Sequence, residues 1–519
     1  MLRFRTALMW SALSGFLALA WEIVWSRLYN FASESRAEAF GAMLGSYLLG
    51  LAIGSLCSRR WHDGTNGSDL PHDSRSSHPL RATVARWIVL ANVAAFAVCP
   101  LVSWMVIKVS WFWTLPLVMI CGGLLGLVFP LVCHWAIPPD ERSGERLSQL
   151  YVANIIGSGF GSLFTGFGLM EWLGVSSISA LLLVIGWLWA ESLASWRLSA
   201  AVRISLLCTV LITPVLFSGF YERLQYKSGY QVGMKFEKII ESRHGVITID
   251  TSHAIYGNGA YDGVISTSLA RQPWLVRPFL LSALHEKPAE ILVIGVSSGA
   301  WTRILASHPQ VERVTAIEIS AGYLEVVRAY PEVSSILHDP KVEIVVDDGR
   351  RWLRKHPDRK FDAIIMNTSI HWREFATAVL SREFLEQVKS HLAPDGIAMW
   401  NCTGSGRAAR TGMEVFPHTM LAINNCIGSL QPLTLDKDRW RRVLEAYRID
   451  GTPVFDLTTP EGKAAFDHTL TFLDRQGDQP DGSEWRWLNR EQMQAKWSTE
   501  RVITDDNLGH EYHSAAVSH

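Results

Sequence analysis

The chain is poor in charge. Only 19% of its 519 residues are Asp, Glu, Lys or Arg, and 48 basic residues stand against 49 acidic ones for a formal net charge of −1. With no basic field to hold a nucleic-acid backbone and no acidic field for a cationic partner, no nucleic-acid binding is expected. Cysteine is scarce too: the seven stand at 57, 99, 121, 133, 208, 402 and 426, with no C-x-x-C pair among them. That spacing supports neither a disulfide framework nor a zinc knuckle and reads as reduced core thiols. What the chain has instead is apolar surface: 48% hydrophobic residues, 22 Trp and a mean hydropathy of +0.13, more than a soluble chain carries.

That surplus is confined to the first 220 or so residues. Apolar runs lie near 5–25, 38–57, 84–106, 110–136, 149–170, 173–191 and 202–220, each close to the roughly 20 residues that cross a bilayer core. The first is not read as a removable signal peptide, because Glu22 follows it and further runs come at once. Residues 1–220 are therefore predicted to form a multi-spanning membrane domain of six or seven helices. Gly41 with Gly45, Gly50 with Gly54, and the set Gly157, Gly159, Gly161, Gly166 and Gly168 have the spacing of close helix packing. Glu22 and Arg27 are ionisable groups near a span end, suited either to an interfacial position or to a polar site. Arg59, Arg60, Arg75, Arg81 and Arg86, then Arg142 and Arg146, then Arg197 and Arg203 mark loops that the positive-inside rule places in the cytoplasm with the amino terminus.

From residue 221 the pattern changes. Residues 221–285 read as a linker with a small β unit, carried by Val246–Asp250 and Tyr261–Ile265. Residues 286–430 read as an α/β Rossmann-like domain, and 431–519 as a C-terminal extension with Trp440-Arg-Arg442 and Trp485-Arg-Trp487. Five strands are expected at Glu290–Gly295, Val314–Glu318, Val342–Val346, Phe361–Met366 and Gly396–Trp400, alternating with helices in a largely parallel, doubly wound sheet. Ligands of such sheets sit beyond the carboxyl ends of the strands. There, Gly295 and Gly299 bracket a tight turn with small Ser297 and Ser298 between them. Glu318 ends the second strand, 23 positions after Gly295, where an acid can accept ribose hydroxyls. Asp348-Gly349 follows the third strand, suited to an adenine amino group. Together they predict a nucleoside site.

On these residues the chain resembles the spermidine synthase-like (polyamine aminopropyltransferase) proteins, in the bacterial form that fuses a multi-spanning membrane domain to the synthase fold. The resemblance is carried by Ile291-Leu-Val-Ile-Gly295, Ala316-Ile-Glu-Ile319, Asp348-Gly-Arg350 and Leu380-Ser-Arg-Glu-Phe384. The membrane half joins it at Ser14–Glu22 and Leu150–Asn154, and Ile503–Asn507 resembles the family's closing strand. It implies S-adenosylmethionine or its decarboxylated form as co-substrate, methylthioadenosine as leaving group, no metal, and a methyltransferase-type fold. It also implies an inner-membrane protein whose soluble domain faces the cytoplasm, with a small-molecule amine or lipid acceptor; a homo-oligomer is compatible with it. Glu318 falls on the ribose-binding acid and Asp348 on the adenine-binding one.

Two positions depart from the pattern. The turn Gly295-Val-Ser-Ser-Gly299 has Ser298 where the family has an ammonium-binding Asp, and Asn367 stands in place of the catalytic Asp. The Asp-Glu-x-x-Tyr-His-Glu segment that precedes the family's core is not recognisable. Aminopropyl transfer needs a base to take the amine's proton, and Asn cannot serve. The other candidates are His371, next to Trp372 and Arg373 that could stack on and neutralise a substrate carboxylate, and Asp505 or Asp506 near the end. Three readings stay open: aminopropyl transfer to a polyamine; a lyase or transferase reaction on S-adenosylmethionine itself; and a non-catalytic nucleotide-binding module regulating a transporter. His510 and His513 read as part of a terminal tail rather than a metal site. Seven crossings from a cytoplasmic start would put the soluble half outside, away from a cytoplasmic co-substrate. The last run, with Thr209, Thr213 and Pro214, is the weakest span.

Overall fold

The computed structural model describes residues 2–58, 78–193, 200–367, 371–374 and 376–508. Arg59, Arg60, Arg75, Arg197, His510 and His513 lie outside them. The chain divides into two compact units, Met1–Val246 and Ile247–His519.

The first unit holds six helices long and apolar enough to cross a membrane: α1 (Phe4–Ala32), α2 (Ala37–Cys57), α3 (Ala82–Met105), α4 (Trp111–Ala136), α5 (Ser143–Trp172) and Val175–Leu193. The seventh apolar run is broken: Ala200–Leu211 and Thr213–Gly229 meet at 53°, where Pro214 cannot continue the hydrogen-bond ladder of the preceding helix. Helix α1 packs on α5 and α2 on α4. A side chain at Gly157 would run into the Ala12 carbonyl, and one at Gly54 into the Gly123 carbonyl, so these glycines set the backbone approach. A Cβ at Gly41, Gly45 or Gly159 would meet nothing within 4 Å; for them the packing expectation fails, because they face away from the neighbouring helix. The outer faces of α2 and α5 leave Phe40, Leu48, Ile53, Ile156, Phe160 and Phe167 exposed, a band suited to lipid. Glu22 is buried in this unit. Arg27 donates from Nη1 to the Ser242 carbonyl (2.7 Å) and from Nη2 to that of Arg243 (3.2 Å), which ties the end of α1 to the chain just after β1 (Lys238–Ser242).

The second unit begins within β2 (Gly245–Ile249), whose antiparallel meander continues through β3 (Ala254–Gly257) and β4 (Ala260–Val264). The main sheet contains β5 (Glu290–Ile294), β6 (Arg313–Glu318), β7 (Val342–Val346), β8 (Phe361–Met366), β9 (Leu392–Asn401), β10 (His418–Ala422) and β11 (Asn425–Ser429). After the small pair β12 (Arg448–Ile449) and β13 (Thr452–Pro453), β14 (Trp487–Asn489) completes it in the order β14-β10-β11-β9-β8-β5-β6-β7. Five strands, β9-β8-β5-β6-β7, are parallel; β11, β10 and β14 extend the sheet antiparallel. Strand β5 is apolar and buried after its first residue, as a central parallel strand must be. Hairpin β10–β11 turns through Ile423, whose φ of +60° is unusual for a β-branched residue.

The expected closing strand at Ile503–Asn507 is not a strand. That segment is irregular, pinned by the Ile503 N–H on Thr411 Oγ1 (2.9 Å) and by the Arg382 N–H on the Ile503 carbonyl (2.8 Å). The extension instead reaches the sheet through β14, paired with β10. Trp440 is fully buried with Nε1 on the Phe279 carbonyl (3.3 Å), and Trp485 is buried against Phe472. The Trp-rich extension therefore covers the α/β core.

Candidate functional site

Strand order reverses between β5 and β8, so the connections after these two strands leave on opposite sides and open a crevice at their carboxyl ends. Gly295, just past β5, has φ +93°, and a Cβ there would stand 2.5 Å from the Asn367 carbonyl oxygen. Only glycine allows the two strand ends this close. The Asn367 N–H completes the join by donating to the Ile294 carbonyl (2.9 Å). Ser297 is held at φ +48° while its hydroxyl donates to the Asp262 carbonyl (2.8 Å). Ser298 is buried, and its Oγ accepts weakly from the Ala300 N–H (3.3 Å).

Glu318 ends β6 and is only 3% exposed. Its Oε2 accepts the N–H groups of Val296 (2.9 Å) and Ser297 (3.2 Å), and its Oε1 that of Ser320 (2.9 Å). Burial raises its pKa and these three N–H groups act against the rise; among the described residues no cation touches it. Oε2 has both lone pairs taken by these donors, and Oε1 retains one for a hydroxyl donor. Asp348 caps the helix Gly349–Lys355, its Oδ1 accepting from the Arg351 N–H (2.7 Å). Among the described residues nothing bonds its Oδ2. A Cβ on Gly349 would press on Ile294 at 2.8 Å, so this turn must sit flush against the end of β5. Glu318 and Asp348 thus stand at successive strand ends beside the glycine turn, an arrangement that fits a ribose and a purine.

On the other side of the turn lies a cavity of about 440 Å³ whose wall includes Ser298, Asn367, Asp262, Tyr261, Trp274, Trp301, Asn401, Thr403, Asn424, Asn425, Glu484 and Arg277. Arg277 is the residue that sequence reasoning missed. Its Nε donates to the Trp274 carbonyl (2.8 Å) and its Nη1 to the side-chain oxygens of Asn424 (2.7 Å) and Asn425 (3.3 Å). The guanidinium lies over the Trp301 ring, 5.2 Å from its centroid. Among the described residues no carboxylate pairs with it, and Nη2 has no hydrogen-bond partner. Burial lowers its pKa to about 10 and only Tyr261 opposes that. Asn424 in turn donates to Thr403 Oγ1 (2.6 Å), which donates to Asn401 Oδ1 (2.6 Å). The cation is thus oriented by neutral groups alone.

The candidate bases lie elsewhere. His371 is buried against the Trp372 ring (5.2 Å between centroids), and it is absent from the cavity wall. Arg373, expected to meet a substrate carboxylate, is spent on Asp262, whose other oxygen takes the Tyr323 hydroxyl. Asp505 is clamped by Arg350 through two hydrogen bonds (2.9 and 2.7 Å) and Asp506 is exposed; neither lines the cavity. Of the expected site residues, the structure brings Gly295, Ser297, Ser298, Gly299, Glu318, Asp348, Gly349 and Asn367 to one crevice and leaves His371, Asp505 and Asp506 outside the cavity. Among the described residues, one group could approach a metal ion, His285 with Asp362 and Asp395. It sits at the opposite, amino ends of the strands, and Asp362 already accepts the N–H groups of Ala289 and Glu290 (both 2.8 Å).

Part of the chain is similar to known proteins. Residues 280–403 match the spermine/spermidine synthase domain. The chain is 28% identical over 183 residues to a polyamine aminopropyltransferase of Prochlorococcus marinus, covering 33% of this chain and 63% of that one. It is 29% identical over 191 residues to a spermidine synthase of Dictyostelium discoideum, covering 35% and 66%. The chain thus spans about two thirds of the length of these relatives. The solved spermidine synthase of Thermotoga maritima is 21% identical, with 38% of this chain and 75% of that one covered at a TM-score of 0.31.

Proposed function

We propose that the spermine/spermidine synthase domain in the C-terminal part of this chain is a transferase that binds S-adenosylmethionine or its decarboxylated form and releases methylthioadenosine. The carrying observation is the Glu318 carboxylate, buried at a strand end beside the Gly295 turn with backbone donors and no cation. A nucleoside's ribose hydroxyl matches the remaining lone pair of Oε1, and the free oxygen of Asp348 matches an exocyclic amine. When bound, the co-substrate supplies an electrophilic carbon next to a sulfonium and a stable thioether as leaving group. The protein's part is to fix the nucleoside on Glu318 and Asp348 and to place the carbon chain past Ser298 and Asn367 in the cavity. Aminopropyl transfer to a polyamine is the reaction implied by the domain match.

A second reading is favoured by the side chains at 298 and 367. Ser298 offers an ammonium no charge, and Asn367 takes no proton at neutral pH. Chemistry on S-adenosylmethionine itself, with a small-molecule amine or lipid acceptor, or a lyase reaction in which the substrate's own carboxylate displaces methylthioadenosine, asks less of these residues. Six spans from a cytoplasmic start would return the second unit to the cytoplasm, where the co-substrate is made. Incubation of the purified full chain with each sulfonium compound, with and without putrescine, tests the proposal: methylthioadenosine is expected to appear, and E318A to suppress it. No product under any condition, together with no binding of methylthioadenosine, would refute it. A reporter fused after residue 519 is expected on the cytoplasmic side.

A further inference from the structure

On the wall of the cavity beyond Ser298, Arg277 is met by no carboxylate among the described residues. Of the cavity's two carboxylates, Asp262 is consumed by Arg373 and Tyr323, and Glu484 is exposed at the rim. Arg277 is half-buried, and its contacts are the neutral Trp274 carbonyl, two Asn amides and the face of Trp301. Such contacts fix the plane of a guanidinium without cancelling its charge, and leave Nη2 as a donor in a set direction. A half-buried cation met only by neutral groups is partly desolvated and is stabilised by an incoming anion. A polyammonium chain would meet a like charge there, whereas a carboxylate would meet a prepared fork.

Resting on the nucleoside reading above, we propose that Arg277 receives the carboxylate of an intact amino-acid arm on the sulfonium, so that this cavity selects S-adenosylmethionine over the decarboxylated compound. The two ligands differ only in that carboxylate. The selection is made by residues outside the nucleoside cradle: Arg277 at the wall, and Asn424 and Asn425 at the start of β11 that aim it. Ser298, which has no charge to anchor a lone ammonium, is consistent with the carboxylate acting as the main anchor.

Calorimetric titration of the full chain in detergent with methylthioadenosine, S-adenosylmethionine and decarboxylated S-adenosylmethionine tests this. The native chain is expected to bind S-adenosylmethionine about tenfold or more tightly than the decarboxylated compound, the margin of one charge-assisted pair. R277Q is expected to erase that ratio and leave methylthioadenosine affinity unchanged; R277K is expected to keep part of it. Equal affinities in the native chain, or a ratio that survives in R277Q, would overturn the proposal while the nucleoside reading stands. Failure of methylthioadenosine to bind the native chain would instead remove the nucleoside reading, and this proposal with it. Should R277Q lose methylthioadenosine binding by misfolding, R277K carries the same comparison: the ratio must fall while methylthioadenosine affinity holds.

Discussion

Two arginine-bearing segments differ in how their charge is met. Residues 371–374 bring Arg373 onto Asp262, where cation, carboxylate and the Tyr323 hydroxyl satisfy one another. Burial alone would lower the pKa of Arg373, but Asp262 more than reverses this and raises it. Residues 272–277 bring Arg277 onto neutral partners only, and its pKa is lowered. The first charge is balanced within the fold and holds the meander against the crevice; the second is left open. Glu318 belongs with the second kind, an anion held by N–H groups and no cation. Open charges of opposite sign thus stand on the two sides of the Gly295 turn, and the proposed ligand would meet both.

Stability separates the two kinds most strongly. R373M strands the buried Asp262 carboxylate, 6% exposed, and is expected to cost about 3–5 kcal/mol. R277M removes a cation that has no anion and leaves only amide acceptors unmet, so it is expected to cost less than about 1.5 kcal/mol. Thermal unfolding of the two variants in one detergent decides: equal losses would erase the distinction between closed and open charges.

The next effect is on binding. E318A removes a charged acceptor for ribose hydroxyls, and methylthioadenosine affinity is expected to fall roughly 10- to 100-fold, the value of one or two charge-assisted hydrogen bonds. Titration calorimetry measures it, and an unchanged affinity would show that the ribose lies elsewhere. The pH dependence sharpens this. Because burial raises the Glu318 pKa above the usual glutamate range, its contribution to the stability of the free protein is full below that range and is lost as pH rises through the raised value. Nucleoside affinity runs the other way across the same window, since the ionised form is the better acceptor. In E318Q both slopes should vanish.

The smallest effect belongs to the closed pair at the surface. Asp505 is 40% exposed and Arg350 23%, so solvent screening limits D505N to a loss of at most about 1 kcal/mol. The Arg350 hydrogen bonds depress the Asp505 pKa. Its contribution is therefore present above the usual aspartate range and lost as pH falls through the depressed value. Thermal unfolding at neutral and acid pH is expected to show a D505N difference that shrinks on acidification.

What could be read from sequence follows the distance over which each feature is decided. The meeting of Gly295, Glu318 and Asp348 at neighbouring strand ends was legible because strand-end acids and turn glycines are fixed by their own strands. The six long apolar helices were legible because length and apolarity suffice, and the break in the seventh run was announced by Pro214. The role of Arg373 was misread because Asp262 lies 111 residues upstream, and nothing in Trp372-Arg373 shows that the charge is already spent. Arg277 was invisible for the complementary reason: the groups that hold it, Asn424 and Asn425, are 147 and 148 residues away. The closing strand was misplaced because it was assigned by resemblance: Asp505, Asp506 and Asn507 are poor strand formers, and the edge of β10 is taken by Trp487–Asn489.

The β10–β11 hairpin gives this arrangement a mechanical side. Side chains alternate across a strand, so a slip of one residue would turn Asn425 from one face of the sheet to the other. Ile423, strained at its tip with φ +60°, holds the phase of that alternation at a cost of about 1–2 kcal/mol. Adding or deleting one residue in this turn would rewrite which charge the cavity welcomes without altering a single charged residue, and ligand preference could change in a descendant of this chain through loop length alone.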